Sequence, residues 1–177
     1  MCVTGLPASG KSTVAEALAA AAGRPLLSSD RIRKLRAGVD PYTYAGADAY
    51  SDAMSLAVYE ELAHRAAAAI RRTGGAIVDA TFRRADDAYA FTQGRVQPAW
   101  IVCEAPPEVL LERAAQRIPG DSLSDAGPAV VARELGLYKG HFQPPGPPLA
   151  RLDTTVPVPL LLDELAATLD ARLGSPS

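Results

Sequence analysis

Near the start of the 177-residue chain, the run Gly5-Leu6-Pro7-Ala8-Ser9-Gly10-Lys11-Ser12 separates two glycines by four residues and follows the second with Lys-Ser. This spacing suits the binding of a phosphate chain. Gly5 and Gly10 admit backbone angles that a Cβ forbids. The loop can therefore curl until successive N–H groups point inward and form an anion nest at a helix N-terminus. Lys11 then reaches the outer phosphates, and the Ser12 hydroxyl is placed to ligate Mg²⁺. The flanks agree: Met1-Cys2-Val3 is apolar and strand-like, and Thr13-Val14-Ala15-Glu16-Ala17-Leu18 has helical periodicity. Gly5, Pro7, Ala8, Ser9, Gly10, Lys11, Ser12 and Thr13 are expected around a nucleotide, with ATP and Mg²⁺ as cofactors.

Phosphate binding alone does not make a transferase, but three further groups supply what transfer needs. The first is Ser28-Ser29-Asp30-Arg31-Ile32-Arg33, at the end of a second short strand. In open α/β sheets ligands bind outside the carboxyl ends of the strands, which puts Asp30 on the same edge as the loop. Its carboxylate can take a proton from an attacking hydroxyl. Arg33, about one helical turn on, can share that face and orient an acceptor. A helix N-cap followed by a solvated arginine would look the same in sequence.

The second group is Asp79, closing the apolar run Ala76-Ile77-Val78, with Thr81 and Arg83 just beyond. An aspartate there can hold Mg²⁺ or one of its waters. It can also contact substrate, as can Thr81 and Arg83, and a strand-end cap is the plainer role. Whether Asp30 or Asp79 is the base stays open in the sequence. The third group is Arg113 and Arg117, spaced i, i+4 on one helix. An arginine swung over the phosphates is worth about 10³–10⁵ in rate. Arg117 is the better candidate, because a Pro-, Gly-, Asp- and Ser-containing segment from 118 to 127 follows it and reads as a closing flap. Arg113 could instead pair with Glu108 or Glu112. Lys11, Asp30 and Arg117 are thus the candidate catalytic residues. Arg113 and Arg117 are added to the nucleotide set, Asp30, Arg33, Asp79 and Thr81 form the substrate set, and Ser12 and Asp79 are the metal ligands.

The elements that must position these residues alternate along the chain. Strands are expected at 1–4, 26–28, 76–79, 99–103 and 149–152. Helices are expected at 10–22, 31–36, 48–72, 84–91, 106–117, 128–137 and 158–173. Strands alternating with helices argue for a parallel sheet covered on both faces. In the long helix the buried stripe is read as Leu56, Tyr59, Ala63, Ala66 and Ile70. Ser29 or Asp30 is expected to cap the short helix after the second strand. Residues 38–47 and the start of the long helix are expected to line the acceptor pocket. The basic cluster Arg31, Arg33, Lys34 and Arg36 reads as a solvated helix face. His64 reads as exposed, Trp100 as core, His141 as a candidate substrate contact, and Asp153-Thr154-Thr155 as a candidate contact for the base.

With 48% apolar and 21% charged residues the composition is that of a soluble globular protein, and the length suits one domain over 1–177. A net charge of −2 and a pI near 5.7 argue against a broad grip on nucleic acid. No apolar run approaches the roughly 20 residues of a membrane span, and no signal peptide is evident. Cys2 and Cys103 sit in strand-like runs and read as buried thiols. These features point to the cytoplasm, with the chain as a monomer or homodimer. Lysine is scarce, with only Lys11, Lys34 and Lys139.

The order Gly-x-Pro-x-Ser-Gly-Lys-Ser, Ser-Asp-x-x-Arg, apolar-Asp-Ala-Thr-Phe and Arg-x-x-x-Arg before a flap resembles the P-loop small kinases. That group includes polynucleotide 5′-hydroxyl kinases, zeta toxins, gluconate kinases and chloramphenicol phosphotransferases. The predicted ATP-binding kinases of bacteria and the polynucleotide-kinase type are nearest in pattern. The resemblance runs from Gly5 to about Asp153. It implies a P-loop NTPase fold with a five-stranded parallel sheet in the order 2-3-1-4-5 and a lid. It also implies ATP with Mg²⁺, Asp30 as base, Arg33 on the acceptor side and Arg117 as the flap arginine. The expected reaction moves the γ-phosphate of ATP to a hydroxyl of a small molecule or a nucleic-acid 5′ end. A second reading is an ATP-binding or ATPase module that regulates or powers a partner domain and has no acceptor of its own.

Overall fold

The protein is described by a computed structural model covering residues 1–93, 96–117, 123–138 and 143–173. The elements run β1 (Cys2–Thr4), α1 (Lys11–Ala22), β2 (Leu26–Ser28), α2 (Ser29–Ala37), α3 (Asp52–Thr73), β3 (Ile77–Asp79), α4 (Ala85–Thr92), β4 (Trp100–Glu104), α5 (Pro107–Gln116), α6 (Pro128–Tyr138), β5 (Pro148–Asp153) and α7 (Val158–Leu173). The strands form one sheet in the order β2-β3-β1-β4-β5, and every pairing is parallel. This is the expected P-loop architecture.

Strand side chains alternate between the two faces of a sheet. Cys2, Val78 and Trp100 point to the side packed by α3 and α4. Val3, Ile77, Ile101, Cys103 and Leu152 point to the side packed by α1 and α7. Both faces are covered, so the inner strands are apolar throughout. A third cluster joins Leu6 and Ala8 of the loop to Val102, Leu110 and Val131, seating α5 and α6 beside the phosphate loop. Both cysteines are buried, and burial pushes each thiol up to about 12. Trp100 is in the core as expected. Among the described residues no helix is long and apolar enough to cross a membrane.

Four local expectations are corrected. The long helix begins at Asp52, not at 48, because Ser51 Oγ caps it by accepting from the Met54 N–H at 3.3 Å, and Ala47–Tyr50 form a separate 3-10 turn. Its buried face runs through Ser55, Val58, Tyr59, Leu62, Ala63, Ala66 and Ala69, while Leu56 and Ile70 are 42% and 40% exposed. Alanine on every side of this helix gives two overlapping stripes of equal period, and apolar contrast alone does not separate them. The cap of α2 is Ser28, whose Oγ accepts from the Arg31 N–H, so Ser29 and Asp30 lie inside the helix. The basic cluster is split, with Arg31 and Arg36 exposed and Arg33 and Lys34 buried.

Candidate active site

The loop between β1 and α1 has the backbone that its sequence requires. Gly5 has φ of 148° and Gly10 of 79°, and Ala8 is held at 67° despite its Cβ. A Cβ on Gly5 would stand 2.3 Å from the Cys103 carbonyl oxygen and 2.7 Å from Ser9 Oγ. A non-glycine residue in a sparsely populated region costs of order 1–3 kcal/mol and marks a place where the fold over-determines the backbone. Ser9 is 1% exposed, and its Oγ has no hydrogen-bond partner.

Parallel register brings the strand ends together, with Val3 opposite Asp79 and Ser28 opposite Asp79. Asp79 is 6% exposed, and burial raises its carboxyl above the usual carboxylate range, opposed by the charge of Lys11 and a hydrogen bond from Ser12. Its Oδ1 has no partner. The donors fit the expected ion. Mg²⁺ takes one or two protein oxygens and completes its shell with water and phosphate, and Ser12 with Asp79 offers a hydroxyl, a carboxylate and an unpaired buried oxygen. Among the described residues no group of three or more His, Cys, Asp or Glu side chains could hold a metal by itself. Thr4 closes β1 by donating Oγ1–H to the Thr81 carbonyl at 2.7 Å, which holds the Thr81 segment against the sheet end.

Two concavities flank the loop. The larger, about 370 Å³, is lined by Pro7 and Lys11 of the loop, by Asp30 and Arg33 of α2, by Tyr44, Tyr50 and Ser55, by Thr81, Arg83 and Asp87, and by Asp125 and Arg133. Residues 38–47 and the start of α3 thus reach the cavity as expected, through Tyr44, Ala47 and Ser55. Burial raises the Asp30 carboxyl. Lys11 opposes that rise, Asp79 adds to it, and Arg33 opposes it more weakly. Arg33 is 6% exposed; it donates to the Ala49 carbonyl at 2.6 Å and to Ser55 Oγ at 3.3 Å, and its guanidinium lies 4.8 Å from the Tyr50 ring centre. Its Nε has no partner. This arginine braces the wall of the cavity that it also lines.

The second concavity, about 300 Å³, lies on the other side of the loop and is lined by Gly10, Thr13, Arg113, Arg117 and Thr154 among others. Arg113 makes no pair with Glu108 or Glu112 among its hydrogen bonds. Its Nη1 donates to Thr154 Oγ1 at 2.9 Å and its Nη2 to the Thr154 carbonyl at 2.7 Å. Thr154, named in the sequence for contact with the base, is therefore fixed as a wall of this second cavity. Arg117 ends α5 and donates Nη1–H to the Ala126 carbonyl at 3.0 Å. Burial lowers its pKa, and the charge of Asp30 opposes that. Of the expected flap, 123–127 are described and 118–122 lie outside the described residues, as do Lys139 and His141. His64 is exposed as expected.

The sequence missed several cavity residues. Asp87 and Arg133 lie in expected helices and Asp125 in the expected flap with no role attached, while Tyr50 falls at the start of the expected long helix, a stretch expected at the acceptor pocket without Tyr50 singled out. Lys34 carried an overlooked signal: in a chain with three lysines, a lysine beside Arg33 merits the same weight as Lys11. It pairs with Asp125 at 2.8 Å, and its side chain is 1% exposed.

Solved structures share this architecture. A sugar kinase from Janibacter sp. HTCC2649, unliganded, superposes with a TM-score of 0.66 at 19% identity, over 96% of this chain and 92% of that one. A protein of Chloroflexus aurantiacus classed as a kinase gives 0.66 at 27% identity over 96% and 94%. A gluconokinase from Sinorhizobium meliloti 1021 gives 0.62 at 22% identity over 97% and 91%. No curated protein matches the sequence. The chain thus has the architecture of the small P-loop kinases. The family model for the AAA domain matches residues 1–145, a span that includes the phosphate loop, both strand-end aspartates, Arg117 and Asp125, and the chain belongs to the AAA domain family.

Proposed function

We propose that the protein is an ATP-dependent kinase of a small hydroxylated molecule, with one domain over 1–177. The observation that carries this reading is the position of Asp30. It shares a polar cavity with Lys11 on one side of the phosphate loop, while Arg113 and Thr154 form a separate cavity on the other. Donor and acceptor thus have one side each. The phosphates of ATP lie on the loop amides, against Lys11. Mg²⁺, held by Ser12 and Asp79, would neutralise phosphate charge when bound. Asp30 orients the acceptor hydroxyl and takes its proton, and Arg117 neutralises charge as the phosphoryl group moves. Asp79, engaged with Ser12, is assigned to the metal and Asp30 to the proton.

A cavity of about 370 Å³ suits a single compact molecule. Arg83 and Arg133 line the cavity and share one carboxylate, both donating to Glu134 Oε1 at 3.1 Å, so each guanidinium keeps further N–H groups for an anion on the acceptor. That favours an acceptor with its own anionic group, such as a hydroxy acid. It does not favour a nucleic-acid end, because a chain with a net charge of −2 has no broad electrostatic grip to offer. ATP as donor and two buried free thiols fit a cytoplasmic enzyme. The alternative ATPase module does not account for a second polar cavity with a carboxylate beside Lys11.

The test is an ATP-consumption screen of the purified chain against sugars, sugar acids, other hydroxy acids, nucleosides and 5′-hydroxyl oligonucleotides. Acceptor-dependent ADP formation with a matching phosphorylated product is expected for an anionic small molecule. Fast hydrolysis that ignores every acceptor would replace this reading with the ATPase module.

A further inference from the structure

The carboxylate of Asp125 gathers three separate pieces of the chain. Its Oδ1 accepts from Lys34 Nζ at 2.8 Å, and its Oδ2 accepts from the Tyr50 hydroxyl at 2.6 Å and from the Ala45 N–H at 3.1 Å. Lys34 belongs to α2, next to Arg33. Ala45 and Tyr50 belong to the segment between α2 and α3. Asp125 belongs to the segment between α5 and α6. The side chains of Lys34 and Asp125 are 1% and 8% exposed, so the pair is out of solvent and screening is weak. All three pieces border the cavity that holds Asp30.

The adjacent peptide faces the other way in function. The Ala126 carbonyl is the acceptor for Arg117 Nη1 at 3.0 Å, and Arg117 lines the concavity on the far side of the loop. One short run, Ser124 to Ala126, therefore borders the acceptor cavity with its side chains and anchors the donor-side arginine with a carbonyl. We infer that Asp125 is a positioning residue that couples closure of the acceptor cavity to the placement of Arg117. This rests on the kinase reading for its consequence in turnover, and on geometry alone for the coupling itself. When the three-way bond opens, the run bearing Ala126 is released from α2 and from Tyr50, and Arg117 loses its fixed anchor. When it closes, the arginine and the wall around the acceptor are set together. Such a device ties phosphoryl transfer to a shut cavity and disfavours loss of phosphate to water.

The test uses the full chain as wild type, Asp125→Asn, Arg117→Ala and the double variant, with Tyr50→Phe as a milder change that leaves the buried ion pair whole. Two readouts are taken. Amide hydrogen exchange over 43–50 and 123–127 is expected to rise together, by about tenfold or more in Asp125→Asn and by less in Tyr50→Phe. MgATP consumption, with and without the acceptor panel above, is expected to fall by about tenfold or more in each single variant. The double variant is expected to lie within about threefold of Arg117→Ala, because two residues that act through one carbonyl are not additive. Losses that multiply in the double variant overturn the coupling, as does unchanged exchange over 123–127. If Asp125→Asn does not fold, Tyr50→Phe decides by the same exchange criterion. If the wild type consumes no MgATP under any condition, the kinase reading falls, and exchange alone judges whether Asp125 ties the two segments.

Discussion

The sharpest prediction concerns Gly5. Its φ of 148° lies where L side chains are rarely found, and a Cβ there would stand 2.3 Å from the Cys103 carbonyl oxygen. That oxygen belongs to β4, a central strand, and cannot step aside. Gly23 provides the matched control, left-handed with φ of 59° and nothing within 4 Å of a built Cβ. Gly23→Ala therefore carries backbone strain alone, about 1 kcal/mol at the low end of the range for such conformations. Gly5→Ala adds the displacement of packed backbone, about 1–3 kcal/mol, for a total near 3 kcal/mol. In a domain of this size each kcal/mol shifts Tm by about 2–4 °C, so Gly5→Ala should melt about 6–12 °C lower and Gly23→Ala about 2–4 °C lower. Function separates the two further. A ligand at a hundred times its Kd stabilises the native state by about 2.7 kcal/mol. MgATP should protect Gly23→Ala as it protects the wild type and should fail to protect Gly5→Ala, whose loop has moved. Thermal melts with and without MgATP measure both effects. Equal melting shifts, or equal protection by MgATP, would refute the steric argument and the assignment of the loop to phosphate.

Asp30→Asn should lower turnover by about 10²–10⁴ with ATP affinity intact; near-wild-type turnover would remove Asp30 from the base role. The same change should stabilise the protein at pH 7. Burial raises the folded carboxyl above its unfolded value, so the ionised group opposes folding as pH rises through that interval. The advantage of Asn over Asp should therefore vanish below the ordinary carboxylate range, and the acid limb of wild-type activity should lie above that range. Arg113→Ala should raise the KM for ATP by about tenfold, from loss of charged hydrogen bonds to Thr154, with a smaller change in kcat. Arg117→Ala should do the reverse, and initial-rate kinetics tell the two apart. Tyr59→Phe removes the oxygen that accepts the buried Phe82 N–H at 2.9 Å. It should cost about 1–3 kcal/mol in urea unfolding, and an unchanged midpoint would show that Phe82 is held by its ring contacts with Tyr59, Phe91 and Trp100 alone.

The donor half was legible because its chemistry is local. Gly5 to Ser12 is a contiguous run whose spacing dictates its backbone, and Asp30 and Asp79 sit where strands end, a place that apolar runs mark clearly. The alternation of elements gave the α/β class, whereas the strand order came from family likeness, since periodicity carries no information about neighbours in a sheet. The acceptor half was visible only in outline. Lys34 looks like solvated charge in the sequence, and Arg33 carries that reading beside its acceptor-side one, because burial of a cation depends on partners far along the chain, here Ala49, Ser55 and Asp125. Arg113 seemed free to pair with Glu108 or Glu112, yet it reaches Thr154, forty-one positions away. In the alanine-rich α3 the centre of the stripe, Tyr59, Ala63 and Ala66, is buried as expected, but the sequence draws its edge through Leu56 and Ile70 where Val58, Leu62 and Ala69 pack, since small apolar side chains on all sides blur which face packs.

Among the described residues, none that lines the cavity around Asp30 belongs to a β-strand. The walls come from the phosphate loop and the start of α1, from α2, from α3 and the segment leading into it, from the residues between β3 and α4 with α4 itself, and from α6 and the run into it. The consequence is evolutionary. The sheet can be inherited unchanged while the surrounding segments diverge, because substitutions at Tyr44, Arg83 or Arg133 alter what fits without touching the strand register that aligns Val3, Ser28 and Asp79. A lineage built on this chassis can exchange one phosphoacceptor for another by small steps, each leaving the nucleotide machinery intact. Retargeting by design should follow the same path and leave β1 to β4 alone.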